Sequence, residues 1–253
     1  MIPLAELAAH LDRLLDVGRF PDYAPNGLQV EGRAEVRRIA GGVSASRELI
    51  EQALAWDADA IVVHHGYFWR NEDACVCGVK RQRLKALLSA DVSLLAYHLP
   101  LDAHAEFGNN VQLARLLDIE ITGALPTARG EPALVLRGRL SAAMSGVQLA
   151  GHLAQRLGRA PLHIAGGRAT VREVAWCTGA AQEYLEPAAA AGVDAFITGE
   201  ISERTTHLAR ETGVHFYAAG HHATERYGVR ALLAHLAATF PVETRFIDID
   251  NPV

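Results

Sequence analysis

Apolar runs alternate with amphipathic segments along nearly the whole chain. Segments such as "DAIVVHH" and "VDAFITGE" are short and continuously apolar before they turn polar, which is typical of strands buried on both faces of a parallel sheet. Between them, segments such as "SRELIEQALAW" carry apolar residues at helical spacing. This alternation predicts an α/β fold with largely parallel sheets flanked by helices. The N-terminal "MIPLAELAAHLDRLLDV" predicts an amphipathic helix and does not have the pattern of a secretory signal.

The chain divides into two halves that resemble each other. A Pro- and Gly-rich stretch at residues 123–132 predicts one domain over residues 1–125 and a second over 126–253. The C-terminal helix and strand are expected to pack back on the first domain. An ungapped overlay of "GGVSASRELIEQALAWDADAIVVHH" on "WCTGAAQEYLEPAAAAGVDAFITGE" aligns Asp59 with Asp194 and His65 with Glu200. We therefore expect two similar α/β domains related by an internal repeat.

Composition narrows the classes of function. The 24 Lys and Arg against 29 Asp and Glu give a net charge of −5, so nucleic acid is not expected as a partner. No apolar run approaches the roughly 20 residues that span a bilayer, so no membrane partner is expected either. Three cysteines are a sparse, odd set, which predicts reduced thiols and a cytoplasmic protein. Cys75 and Cys77 form a CxC pair without a second pair, and we interpret them as ordinary loop residues.

Ionisable side chains concentrate where predicted strands end. In parallel sheets, ligand sites lie beyond the carboxyl ends of the strands. Of the 12 histidines, six fall at three such ends, and three carboxylates lie at the same ends or at a fourth. Imidazoles and carboxylates that converge from separate strands are the donors that borderline transition metals prefer. The residues are His64, His65, His98, Asp102, His104, Glu200, His221, His222 and Glu225.

Local geometry separates the stronger candidates from the weaker ones. On an extended backbone the side chains of His64 and His65 diverge, which suits two different metal ions better than one. His221 and Glu225 are four residues apart and share one face of a helix once the helix has begun. Asp102 is preferred to its neighbour His104 because a carboxylate can bridge two ions, and His222 lies off the face that carries His221.

The segment "GYFWR", residues 66–70, follows the adjacent histidines. Its aromatic residues are compatible with a core position, with an oligomer interface, or with stacking on a heterocyclic base.

The Gly-rich "IAGGVSAS" precedes a helix, but it lacks both the GxGxxG spacing and a Walker lysine. It therefore does not predict a nucleotide site.

Four motifs, in order and spacing, resemble a known family of dinuclear-metal proteins. "VVHHGYFWR", "YHLPLDAHAEFGNN", "FITGE" and "AGHHATERYG" are similar to the GTP cyclohydrolase 1 type 2 homologues, also called the Ngg-interacting-factor-like family, in its short bacterial form. The resemblance implies two α/β domains with a two-metal site in the cleft between them. It also implies ring-like or cage-like homohexamers. The ligands that it implies are His64, His65, Asp102, His221 and Glu225.

The resemblance and the residue chemistry together predict a metal-dependent hydrolase. Two divalent transition-metal ions per chain, of Fe, Mn, Zn or Ni, would activate water as a metal-bound hydroxide. The family name points to GTP, with opening of the guanine imidazole ring and release of formate. Glu200 and His98 are the candidates for general acid or base. Stacking on the base is expected of Tyr67, Phe68 or Trp69, and phosphate binding of Arg70 or Arg226.

Two other classes of function stay open from the sequence. One is a phosphoesterase or another hydrolase of a nucleotide or metabolite. The other is a non-enzymatic role in metal binding or as a scaffold for partner proteins. Turnover that follows metal content would separate the enzymatic interpretations from the binding one.

Overall fold

The computed structural model describes residues 1–126 and 134–253, which form two compact units. The first unit comprises Met1–Gly108 and Gly228–Asp250, and the second comprises Asn109–Tyr227 and Asn251–Val253. The predicted division at residues 125 and 126 lies within the second unit, because the helix and strand of residues 109–124 pack in that unit's core. Part of the Pro- and Gly-rich stretch, residues 127–132, lies outside the described residues.

The described residues form helices and strands in the predicted alternation. The strands are β1 (Ile2–Pro3), β2 (Gly27–Val30), β3 (Glu35–Val36), β4 (Arg38–Ser44), β5 (Ala60–His65), β6 (Ser93–Ala96), β7 (Ile119–Ala124), β8 (Leu136–Met144), β9 (Leu162–Ile164), β10 (Val171–Trp176), β11 (Ala195–Thr198), β12 (His215–Ala218) and β13 (Glu243–Phe246). The helices are α1 (Leu4–Leu14), α2 (Arg47–Ala55), α3 (Gly78–Ala90), α4 (Leu99–Ala103), α5 (Asn109–Leu116), α6 (Gly146–Leu157), α7 (Leu185–Ala190), α8 (Glu203–Thr212) and α9 (His221–Thr239). No helix in residues 1–126 or 134–253 is long and apolar enough to cross a membrane.

The first unit is built on a five-stranded sheet in the order β13-β4-β5-β6-β2. Its first four strands are parallel, and β2 pairs antiparallel at the edge. Strand β5 is apolar throughout its first four residues because it is buried on both faces. Val62 packs in one hydrophobic cluster, whereas Ile61 and Val63 pack in another. Each such side chain contributes about 1.5–3 kcal/mol of burial free energy, which fixes the register of the strand that carries His64 and His65.

The second unit has a six-stranded sheet in the order β7-β8-β10-β11-β12-β9. Only the central strands β10, β11 and β12 are parallel, so this sheet is mixed rather than largely parallel. The antiparallel pairs arise because β7 and β8 run as neighbours in opposite directions and β9 closes the far edge. The α/β class is confirmed, with helices packed on sheets in both units.

The internal repeat predicted by the overlay is seen in matching contacts of one aspartate in each unit. Each of these side chains accepts hydrogen bonds from two consecutive backbone amides. The carboxylate of Asp59 accepts hydrogen bonds from two consecutive backbone amides beside β4, and it pairs with Arg33 at 2.8 Å. The carboxylate of Asp194 accepts from two consecutive amides of β10, and it pairs with Arg168 at 2.8 Å. The two arginine–aspartate pairs have the same sequence separation. Each aspartate thus fixes the start of a βαβ unit in the same way, and the overlaid histidine and glutamate follow at equivalent strand ends.

Candidate metal centre

The first unit gathers histidines at the carboxyl ends of two adjacent strands. His64 and His65 are the last residues of β5, and His98 follows β6, which is the parallel neighbour of β5. One ring nitrogen from each of the three lies within 4.8 Å of the others. Asp102, on α4, places its Oδ1 atom 3.4 Å from the Nε2 atom of His64. Three imidazoles and a carboxylate therefore converge in this unit.

Hydrogen bonds at the Nδ1 atoms set the orientation of all three rings. The Nδ1–H of His64 donates to the carbonyl of Tyr97 at 2.8 Å, and the ring is fully buried. The Nδ1 of His65 lies 2.9 Å from the hydroxyl of Ser44. The Nδ1 of His98 also has a partner, described next. Because Nδ1 of each ring is held in this way, Nε2 is the nitrogen that would face a metal ion or a substrate, and histidines that bind metals are usually held in the same way.

Asp22 is a site residue that the sequence did not predict. Its buried carboxylate lies 3.0 Å from the Nδ1 of His98 and accepts hydrogen bonds from the backbone amide of Leu99 and the side chain of Asn26, both also at 3.0 Å. Burial alone would raise the pKa of Asp22, but the hydrogen bond and positive charge of His98 outweigh it and lower the pKa to about 2. An ionised carboxylate behind a histidine fixes its tautomer and orientation. Asp22 therefore holds Nε2 of His98 toward the other two histidines.

The second unit brings together the other predicted residues. His221 is the first residue of α9, and its Nε2 lies 3.1 Å from Oε2 of Glu225, as expected for positions four apart. The Nδ1–H of His221 donates to Oε1 of Glu200 at 2.6 Å. Burial alone would lower the pKa of His221, but the carboxylates of Glu225 and Glu200 outweigh it and raise the pKa to about 9. Glu200 thus contacts a predicted ligand directly.

A glycine leaves the space that the Glu225 carboxylate occupies. Gly179 has a φ of +69°, and a Cβ at this position would lie only 2.2 Å from Oε1 of Glu225 and 3.2 Å from Nε2 of His221. The backbone of Gly179 is held by hydrogen bonds to the side chains of Thr224 and Thr198. The loop after β10 therefore forms a tight wall behind these two predicted ligands, and this role of Gly179 was not predicted from the sequence.

The donor set fits a transition-metal centre. Every converging donor is an imidazole nitrogen or a carboxylate oxygen, which suits Fe, Mn, Zn or Ni. His98, predicted as an acid or base, lies among the predicted ligands His64 and His65. His104 instead accepts hydrogen bonds from the backbone amides of residues 106 and 107 with its Nδ1, so it fixes the turn after α4.

The "GYFWR" aromatics occupy three different environments. Tyr67 is buried in the core and donates its hydroxyl to the carbonyl of Ala45. Phe68 is exposed, whereas the Trp69 ring lies 5.1 Å from the ring of His98. Trp69 is thus the aromatic residue that borders the histidine cluster.

The two predicted phosphate-binding arginines donate to backbone carbonyls. Arg70 hydrogen-bonds the carbonyl of Asp22, and Arg226 hydrogen-bonds that of Leu157. The CxC cysteines, Cys75 and Cys77, are exposed free thiols in the loop before α3.

Comparison with known proteins identifies the family. The model of the Duf34/NIF3 (NGG1p interacting factor 3) family matches residues 2–252. A Pseudomonas aeruginosa protein named "GTP cyclohydrolase 1 type 2 homolog" is 55% identical over 252 residues, which are 99% of each chain. The solved structure of a protein named ybgI, described as of unknown function, superposes with a TM-score of 0.96 at 50% identity and full coverage of both chains. A Thermus thermophilus structure gives a TM-score of 0.88 at 34% identity, again over 100% of both chains. The resemblance noted in the sequence is confirmed, and the chain belongs to the Duf34/NIF3 family.

Proposed function

We propose that this chain binds two divalent transition-metal ions and is a metal-dependent hydrolase of a small, nucleotide-like substrate. The ligands in this proposal are His64, His65, Asp102, His221 and Glu225. The observation that carries it is the convergence of the first unit's imidazoles, each with its Nδ1 already engaged by a fixed partner. Such a cluster has the composition and the orienting hydrogen bonds of a metal centre.

Metal ions bound at such residues would lower the pKa of water and polarise an electrophilic carbon or phosphorus. Side chains of the protein would transfer the protons that the hydrolysis requires. His98, held by Asp22, presents Nε2 as a group that can exchange a proton with substrate. Glu200 fixes His221 through one carboxylate oxygen and is about one-third exposed, so its other oxygen is placed to accept a proton.

GTP is the substrate that we propose first. Full-length relatives above 50% identity carry the name "GTP cyclohydrolase 1 type 2 homolog". In this proposal the guanine imidazole ring is opened by hydrolysis and formate is released. Trp69, beside His98, is the residue placed to stack on the base.

Formate release from GTP tests this proposal. Wild-type protein loaded separately with Fe, Mn, Zn or Ni is assayed beside Glu200→Gln, with metal content measured on the same samples. We expect turnover that follows metal content, and a loss of at least about 100-fold in Glu200→Gln with its metal retained. Equal activity of Glu200→Gln and wild type would remove Glu200 from proton transfer.

The same assay separates the competing functions. Phosphate release in place of formate would identify a phosphoesterase. A metal-loaded protein without turnover on any nucleotide would instead support a binding or scaffold role.

We also propose a homohexameric assembly and a cytoplasmic location. The family resemblance supports the hexamer, and light scattering should give about six times the chain mass. The exposed thiols of Cys75 and Cys77 support a reducing compartment.

A further inference from the structure

A second feature of the first unit lies in the groove between α2 and α3. The groove has a volume of about 430 Å³, which is in the range of small-molecule sites. Ile50 and Ala86 give it an apolar lining, and cationic side chains from both helices also line it. None of the predicted metal ligands lines this groove.

The charges of the groove are unbalanced. Arg47 comes from α2, and α3, whose sequence "GVKRQRLKALLSA" contains no acid, contributes Arg81, Arg83 and Lys85. The one acidic lining residue, Glu51, is already engaged by Arg47 at 2.6 Å. Among residues 1–126 and 134–253, no carboxylate pairs with these three cations, whereas the fourth cation of α3, Lys80, pairs with Glu72 at 3.3 Å. Three positive charges therefore face one small groove without anionic partners.

Arg83 is held in place in a way that solvated surface arginines are not. Its guanidinium lies 6.0 Å from the ring centroid of Tyr67, which is buried and anchored through its hydroxyl to Ala45. The Nε–H of Arg83 is buried and has no acceptor among the described residues. Tyr67 therefore limits the positions that the Arg83 guanidinium can adopt beside the groove.

The opposite side of the groove is also fixed. Arg47 donates to Glu51 on its own helix and to the side-chain oxygen of Gln82 on α3 at 3.2 Å. This hydrogen bond links the two helices that line the groove. A guanidinium group is matched to phosphate, because two phosphate oxygens can accept two parallel hydrogen bonds from one arginine.

We propose that the α2–α3 groove is a binding site for a small polyphosphate. The three cations that α3 contributes to the groove match a chain of two or three phosphates, and the apolar lining offers a surface for an attached nucleoside. The site is independent of the metal centre and of the hydrolase activity proposed above.

Calorimetric titration of the intact, metal-bound protein in phosphate-free buffer tests the proposal, with inorganic triphosphate and ATP as probes. Arg83→Met keeps much of the side chain's bulk and removes its charge and donors. Arg204→Met is the matched control, because Arg204 is an exposed arginine on α8 in the other unit. Glu225→Ala reports binding at the metal centre. Thermal unfolding of each variant verifies that it is folded.

We expect Kd for triphosphate to rise at least about tenfold in Arg83→Met and in Arg81→Ala/Lys85→Ala, with no change in Arg204→Met or Glu225→Ala. Equal affinity for triphosphate and ATP would identify the phosphate chain alone as the ligand, and tighter ATP binding would identify a nucleoside polyphosphate. Three results would overturn the proposal: no heat of binding for wild type at millimolar probe, equal weakening in Arg204→Met, or loss in Glu225→Ala with Arg83→Met unaffected.

Discussion

Substitution of Gly179 by alanine should remove metal from the second unit's ligands. The new Cβ would lie 2.2 Å from Oε1 of Glu225, whereas real Cβ atoms essentially never approach a neighbour within 3.0 Å. The backbone cannot retreat easily, because the carbonyl of Gly179 accepts hydrogen bonds from Gly199 and Thr198. The Glu225 carboxylate, which is 3% exposed, must therefore move by about 0.8 Å, the difference between those two distances.

That displacement is large on the scale of coordination. Metal–oxygen distances are about 2.0–2.2 Å, and a usable site reproduces them within about 0.2 Å. A shift of about 0.8 Å thus removes Glu225 as a ligand, and we expect metal affinity to fall at least about 100-fold. Alanine in the left-handed region also costs about 1–2 kcal/mol of folding free energy, independently of the metal.

Gly192→Ala separates these two effects. Gly192 has a similar φ of +78°, but a Cβ there meets nothing within 4 Å. Measured without metal, both variants should lose thermal stability from the left-handed backbone, and Gly179→Ala should lose more because it also displaces the buried Glu225 carboxylate. Only Gly179→Ala should lose metal in elemental analysis by mass spectrometry. Full metal content in Gly179→Ala, or an equal loss in Gly192→Ala, would refute the steric reasoning.

Two further predictions concern the hydrogen bonds behind the ligands. Asp22→Asn removes the charge that orients His98, and turnover of the metal-loaded protein should fall about 10–100-fold with its metal content unchanged; unchanged turnover would show that Asp22 serves only the fold. With a pKa of about 9, His221 is protonated at pH 7 in the absence of metal, and it must lose that proton before its nitrogen can coordinate. Metal binding at pH 7 should therefore release a proton from His221, and the resulting gain in affinity should continue up to about pH 9. Calorimetry in buffers of different ionisation enthalpy measures this proton, and affinity that is flat from pH 7 to 9 would contradict the assignment.

The parts of the site that the sequence predicts are those carried by strand ends. Continuous apolar runs determine which strands are buried, so the side chains that follow such a run lie at the ligand-binding edge of a sheet. His64 and His65 could be placed in this way, whereas the pairing of His221 with Glu225 was predicted from their helical spacing. The overlay of Asp59 on Asp194 also had a physical basis, since both carboxylates hold backbone amides at the start of a repeat.

The residues that were missed act through contacts distant in sequence. Asp22 lies in an irregular segment 76 residues before His98, and no local pattern indicates such a pairing. Gly179 matters only because Glu225 approaches its backbone, which no spacing rule reveals. Tyr67, Phe68 and Trp69 are consecutive in the sequence, but they lie in three different environments. The backbone has a positive φ at Phe68, so the exposed Phe68 separates the buried Tyr67 from the partly buried Trp69.

Metal content per chain tests the central claim most directly. Wild-type protein and Glu225→Ala are purified without added metal or chelator and analysed by native and elemental mass spectrometry. We predict about two transition-metal ions per wild-type chain and a sharp decrease in the variant. One ion or none in wild type, with no change in Glu225→Ala, would contradict the dinuclear centre.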